Sequence, residues 1–434
     1  MELSLDSILL TGIIACLVIL IFRSNHTAER APSPKATVKT VLKRKKSILT
    51  EYSSQDVFRI VITGGPCAGK TTGINKLAEE LSNNMKVLVV PEAATLLVKG
   101  GAINNFEGLD NNAQVEFQAS LMQLQMALED AFTQIAASVK EKSIVICDRG
   151  LMDGSAYISP ELWQALLDER GWTVVHLRDR RYEAVVHMVT AAAGAEEFYT
   201  LSNNEARYEG LESARQVDDK LQKAWTGHSH LSIIDNTSFE NFNEKIQNLL
   251  NLSLKYLGLN TSGARSQKFL IKSSENIPNI ENVQVVRLHI EDTFLRCSGK
   301  DMSRVQKRGQ SGSYIYTHST KKMLDFDEYS VNKCQITARE YILLDFNRDQ
   351  SRKKVRRLRQ CFTYNFTYFM IDTYLNVKQG VSVLRTDSMT GVNMKLPSSI
   401  SIVRDVTHDP GYSTYIMSKI NWYVSSEDKD IIID

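Results

Sequence analysis

Residues 64–71 read Gly64-Gly65-Pro66-Cys67-Ala68-Gly69-Lys70-Thr71, a full match to the pattern G-x-x-x-x-G-K-[ST]. The residue types suit one task, which is holding a string of phosphates. Glycines let the backbone curl tightly and turn its N–H groups toward an anion. A helix that begins at Lys70 aims the positive end of its dipole at the same place. Lys70 would reach the outer phosphates, and the Thr71 hydroxyl would bind Mg²⁺. Gly64 through Thr72 is therefore the expected phosphate-binding run, with Cys67 read as a small loop residue rather than an oxidisable thiol. The expected ligand is a purine nucleoside triphosphate, GTP or ATP, together with Mg²⁺.

Further candidates stand at a distance in sequence. Asp148 and Arg149 follow the apolar run Val145-Ile146-Cys147. Asp148 is expected as the second Mg²⁺ carboxylate, although an acid after a strand also serves as a cap or turn. Glu92 follows Val90-Pro91 and reads equally as a general base or a helix cap. Arg178, Arg180 and Arg181, then Arg207 and Arg215, suit a lid over a transferring phosphate, while any one of them also reads as a surface ion pair. Asn236 either lines the base pocket or caps a helix.

Several elements must position these groups. Residues 60–63 are β-branched and apolar, as a buried strand requires, and residues 72–81 read as the helix after the loop. Strand candidates are 58–63, 86–90, 143–147, 173–177 and 231–235, with helical periodicity between them, clearest over 121–139. Such alternation implies an α/β domain over residues 56–258, a parallel sheet with ligands at the carboxyl ends of its strands.

Before that domain, residues 8–22 are apolar apart from Thr11 and Gly12, with acids before them and Arg23, Arg30, Lys35, Lys39 and residues 43–46 after. The expectation is an N-terminal transmembrane helix within residues 1–23 that leaves the body in the cytoplasm as a single-pass membrane protein. A cleaved signal peptide would want a basic start and a small-residue cleavage site, neither of which stands out, and a tail that does not span is the remaining alternative. Residues 24–55, rich in Ser, Thr, Pro and Lys, read as a basic flexible linker. Overall charge is nearly balanced, 52 Lys+Arg against 50 Asp+Glu, so any basic surface must be local and no specific nucleic acid partner is expected. The six cysteines are scattered, without metal or disulfide spacing.

Residues 259–266 read as a linker, and after them the pattern changes. Short alternating runs at 267–272, 283–291, 314–318, 328–337, 360–372, 381–386 and 400–406 predict a mainly antiparallel β domain over 267–434, expected as a barrel. Its densest basic run is Arg352, Lys353, Lys354, Arg356, Arg357 and Arg359. In a strand Arg357 and Arg359 share one face and Arg352, Lys354 and Arg356 the other, so the run cannot all point inward. Basic strands would bind polyphosphate or an anionic lipid headgroup; a solvated basic edge that discourages strand pairing is the plain alternative.

The phosphate loop, Asp148-Arg149-Gly150, Glu196-Glu197-Phe198-Tyr199 and Ile234-Asp235-Asn236-Thr237 together resemble the AAA-type, kinase-like domain shared by NadR and the TRPL translocation defect proteins. Residues 305–309, 314–318, 339–341 and 402–407 are similar to the CYTH-like, triphosphate-tunnel domain that follows it in the translocation defect family. The resemblance implies a nucleoside-kinase-like P-loop NTPase core, GTP binding and a role in membrane-protein trafficking. The tunnel signature E-x-E-x-K is broken in His289-Ile290-Glu291-Asp292-Thr293, which favours binding of phosphoinositide or polyphosphate over hydrolysis. Two further readings stay open. One is a small-molecule kinase in which Glu92 activates an acceptor that Arg149 holds; the other is a triphosphate hydrolase in the β domain.

Overall fold

Five strands carry the first half of the chain in a computed structural model. It describes residues 57–102, 106, 108–139, 141–199, 210–259, 266–272, 283–299, 301–323, 329–377, 381–386 and 395–422. The expected anchor, the basic linker, Arg207 and most of the 259–266 connector lie outside the described residues. No helix among the described residues is long and apolar enough to cross a membrane.

In chain order the first half comprises β1 (Val57–Gly64), α1 (Lys70–Leu81), β2 (Lys86–Val90), α2 (Ala93–Lys99), α3 (Asn111–Ser138), β3 (Ser143–Asp148), α4 (Pro160–Arg170), β4 (Ala184–Met188), α5 (Leu211–Trp225), β5 (Leu231–Ile234) and α6 (Phe242–Tyr256). All strand pairs here are parallel, in the order β2-β3-β1-β4-β5. Ile60, Ile62, Ile144, Ile146, Val186 and Ile234 meet Ile74, Leu77, Leu249 and Leu252 of α1 and α6 in one apolar core. Continuous β-branched runs form such strands because both sheet faces are covered.

The expected fourth strand is corrected. Residues 173–177 are not extended; Val175–Arg180 is a π-helical segment, and the strand is Ala184–Met188. All five strand residues are buried, His187 included, and that one polar residue broke the apolar run.

The second half comprises β6 (Gln267–Ile271), β7 (Val286–Leu295), β8 (Met302–Gln310), β9 (Ser313–Met323), β10 (Tyr329–Ile336), α7 (Ala338–Asp345), β11 (Val355–Tyr364), β12 (Thr367–Tyr374), β13 (Ser382–Thr386), β14 (Ile402–Asp405) and the short α8 (Thr414–Met417). Nine antiparallel strands run in the order β10-β9-β8-β7-β11-β12-β13-β6-β14. The expected antiparallel β domain is present, and no pairing of β10 with β14 closes its sheet into a barrel among the described residues. The expected single run over 360–372 is a hairpin. Asn365 and Phe366 both have positive φ, 46° and 56°, the backbone of a two-residue turn that matches strand twist.

The two sheets pack within one compact unit, residues 54–434. Arg308 of β8 reaches Asp179, Tyr368 Oη donates to His228 O at 3.0 Å, and Thr173 Oγ1 lies 3.0 Å from Ser313 Oγ. Arg178, expected in a lid, is buried at this junction and donates to Thr226 O at 2.7 Å. Arg181 instead pairs with Glu129 and Asp130. These arginines are tied down by acids, which removes them from any lid.

Candidate nucleotide site

Parallel strands deliver their carboxyl ends to one edge, and the candidate residues gather there. Glu92 follows β2, Asp148 and Arg149 end β3, the loop 64–69 follows β1, Thr190 follows β4, and Asn236 follows β5. Because β3 lies between β2 and β1, the two carboxylates and the loop are neighbours although up to 84 residues separate them.

The loop shape depends on its glycines. Gly64 has φ 146° and Gly69 φ 87°, and a side chain at Gly64 would collide with the Met188 carbonyl. Cys67 takes φ 54°, and Ala68 is buried. Gly69 stands just before α1, whose first turn begins with Lys70, Thr71 and Thr72; both threonines are exposed at that end. Lys70 curls back and donates from Nζ to Gly64 O at 2.9 Å and Gly65 O at 3.1 Å. Burial, and then the neighbouring Arg149 charge, pull its ammonium down to about 8.

On one side of the loop, Arg149 Nε meets Glu92 Oε1 at 2.5 Å, and its Nη1 lies 3.7 Å from Asp153 Oδ2. Arg149 holds this pose with φ 70°, an uncommon backbone for a residue with a side chain. Burial opposes ionisation of Glu92, but the Arg149 guanidinium and the Thr95 hydroxyl override it and hold the carboxyl near 2. Glu92 occupies the N-cap position of α2 without making a side-chain cap bond, so its carboxylate serves Arg149 and Thr95 instead. Asp148 differs. Burial first, then the Glu92 charge, raise its carboxyl, and Oδ1 is buried with no hydrogen-bond partner. A buried carboxylate oxygen left unsatisfied is costly unless a cation completes it. Thr71 at the helix start and this oxygen of Asp148 fit a Mg²⁺ ion bound with a phosphate chain.

The opposite side is built from residues that motif reading misses. Asp218 of α5 is buried; its Oδ1 accepts from Gly65 N at 2.8 Å and Thr190 N at 3.0 Å and lies 3.1 Å from His187 Nε2. Thr190 Oγ1 in turn donates to Pro66 O at 2.5 Å. Back on the Arg149 side, Asp153 is also buried and accepts from Thr63 Oγ1 at 2.7 Å and Trp225 Nε1 at 2.6 Å. The signal for Asp218 was present: an acid at helical spacing with Ala214, Leu221 and Trp225 stands on the stripe that must be buried, and a buried acid must be paired.

Two expected contacts are redirected. The Asn236 amide donates to Thr190 O at 2.8 Å and Ala193 O at 2.7 Å, and its Oδ1 accepts from Lys245 Nζ at 2.6 Å. Its amide nitrogen braces the 190–193 turn and its oxygen anchors Lys245, so in this structure it acts as a positioning residue. Arg215 Nε donates to Ala192 O at 2.6 Å, and its guanidinium pairs with Glu196 and Glu212. It stands over that same turn.

The inner face of the second sheet follows strand register. Arg304, Gln306 and Arg308 of β8 lie on the side of Asp292, and Arg357 and Arg359 of β11 share that side with Asp372 and Arg385. Asp292 and Asp372 are both fully buried. Burial works against the Asp372 carboxylate, and Arg357, Arg359 and Arg385 together hold it far below the usual carboxylate range. Arg356 points the other way, to Glu291 at 2.8 Å. The face thus carries more arginines than acids, as the alternation of the basic run requires.

Comparison with known proteins places the first half. Residues 59–241 match the family described as AAA domain. No curated protein sequence matches the chain. Two solved structures, the inorganic triphosphatase NE1496 and the hypothetical protein NE1496, align at 14% and 13% identity, each with TM-score 0.28. They cover 35% and 36% of this chain and 95% and 97% of their own. The parallel sheet and its phosphate loop constitute an AAA-type P-loop domain within this chain.

Proposed function

We propose that the chain binds a purine nucleoside triphosphate, GTP or ATP, with Mg²⁺ at the loop 64–72. The observation that carries this reading is the buried, unpartnered Oδ1 of Asp148 beside a glycine loop that opens a helix at Lys70. Mg²⁺ would neutralise phosphate charge between Thr71 and Asp148. Lys70 would exchange its bonds to the loop carbonyls for bonds to phosphate, and the amides at the start of α1 would donate to the same chain. Asp218 and Thr190 hold the loop open from behind. Calorimetry with ATP and GTP side by side tests it. Saturable, Mg²⁺-dependent binding that Lys70→Ala abolishes is expected; no binding of either nucleotide refutes it.

Glu92, expected to activate an acceptor, sits near 2 beside Arg149 and is a weak base at neutral pH. Binding is therefore favoured over phosphoryl transfer to a small molecule. Product formation above a Lys70→Ala control across a nucleoside and metabolite panel would reverse that order.

The second sheet is the proposed site for a polyphosphate or a phosphoinositide headgroup, through the inner arginines. The anchor expected in residues 1–23, a cytoplasmic body and a part in membrane-protein trafficking complete the reading; they rest on the charge flanks of residues 8–22 and on the resemblance to the translocation defect proteins. Arg357→Glu should abolish tripolyphosphate binding, whereas Arg356→Glu, on the outer face, should leave it intact. Equal effects would remove the inner face from the proposal.

A further inference from the structure

Helix α7 has two apolar faces, and the sheet covers one of them. Tyr341 and Leu344 point inward against Leu295, Val305, Tyr316 and Ile336. A residue turns about 100° around a helix axis relative to its neighbour, so Ile342, Leu343 and Phe346 fall on the opposite side. They are 58%, 60% and 81% exposed. Isolated exposed apolar residues are ordinary, but three on one face of a short helix make a patch.

The helix is not a frayed end. Thr337 and Glu340 form a capping box at its start, with Glu340 Oε2 accepting from Thr337 N at 2.7 Å. The following Asn347 and Asp349 amides bond to Leu344 O at 2.9 Å and Phe294 O at 2.9 Å. The patch is therefore presented rigidly.

Its surroundings are basic. Arg339 lies three and four residues before Ile342 and Leu343 and shares their face, and Arg348 follows Phe346; both are exposed. The acids nearby are engaged: Glu340 in the cap, Asp345 with Lys354, Asp349 with Arg352, and Glu291 with Arg356 and Lys354. No acid among the described residues pairs with Arg339 or Arg348.

We infer that the outer face of α7 docks on an anionic lipid bilayer. Ile342, Leu343 and Phe346 enter the interface, and Arg339 and Arg348 meet acidic headgroups. An apolar wedge rimmed by arginine matches a bilayer surface, which offers hydrocarbon below and negative charge above. A protein groove complementary to the wedge would instead need acids spaced to meet the two arginines. The inference uses neither the nucleotide loop nor the inner sheet face, so it stands or falls apart from the proposed function.

The test is flotation of the full chain with phosphatidylcholine vesicles, with and without phosphatidylserine. Residues 1–56 are present in every variant, so differences report on α7. Ile342→Ser with Phe346→Ser is expected to lower partitioning into phosphatidylserine vesicles by roughly tenfold or more. Arg339→Glu should lower it several-fold, and only where phosphatidylserine is present. Both variants change exposed residues and should melt like the wild type. An environment-sensitive dye on Leu343→Cys should shift to the blue on those vesicles. Partitioning that ignores the double substitution overturns the inference, as does a dye that stays in water. A wild-type dimer that the double substitution converts to monomer without vesicles would also overturn it, because a second copy would then cover the face.

Discussion

Arg308 Nη1 lies 2.8 Å from Asp179 Oδ1, and with that contact the antiparallel sheet grips the P-loop half of the chain. Both side chains are almost wholly buried, and Arg178 shares the same carboxylate. Burial alone would keep Asp179 neutral, but the two guanidinium groups hold its carboxyl near 2. The other Arg308 nitrogen donates to Gly227 O, two residues beyond α5. Taking away one member of a buried pair strands the other. Asp179→Ala or Arg308→Met should therefore cost roughly 3–5 kcal/mol in urea unfolding. The double variant should lose less than the sum of the singles.

Lys70 gives nucleotide binding an alkaline limit. Its ammonium is held near 8 in the free loop, and a phosphate chain beside it would raise that value again. Below that pH the lysine is already charged and affinity should be flat. Above about 8, binding must first supply a proton, so affinity should fall by up to about tenfold per pH unit. Titration calorimetry across pH should show proton uptake in the wild type and none in Lys70→Arg.

Asp218 ties the loop to α5 through Gly65 N and Thr190 N. Asp218→Ala would leave two buried amides without an acceptor, at roughly 1–3 kcal/mol each by the usual penalty. Because Gly65 is one of the two carbonyl partners of Lys70, nucleotide affinity should weaken along with stability. Asp219→Ala, one residue along on the same helix and paired with Lys223, serves as the control and should change neither.

His228 makes the junction acid-sensitive. Burial pushes its imidazole down to about 4, against the pull of Asp179. The unfolded chain takes up that proton near 6.5, while the folded chain resists until about 4. Between those values the unfolded state binds more protons, so stability rises with pH and is lost as pH falls. The loss over that window is on the order of 3 kcal/mol. His230, pushed by burial to about 3, acts in the same direction. His228→Gln should flatten the dependence of the urea midpoint on pH in that range.

Local sequence determined the phosphate loop, because a glycine pattern, a lysine and a hydroxyl at fixed spacing encode one backbone curl and one helix start. It determined four of the five parallel strands, where apolar residues dominate the run, and it determined that Arg356 and Arg357 face opposite ways, since side chains alternate along any strand. It could not determine partners. Asp218 reaches Gly65 across 153 residues, Asp179 reaches Arg308 across 129, and Glu92 reaches Arg149 across 57. Those pairings follow from strand order and from how two sheets pack, and neither is written in residue spacing. Hence Arg178, read as a lid residue or an ion pair, is a buried tie to Asp179; Asn236, read as a base contact or a helix cap, braces the turn after β4; and His187 hid a strand whose burial only its neighbours could supply.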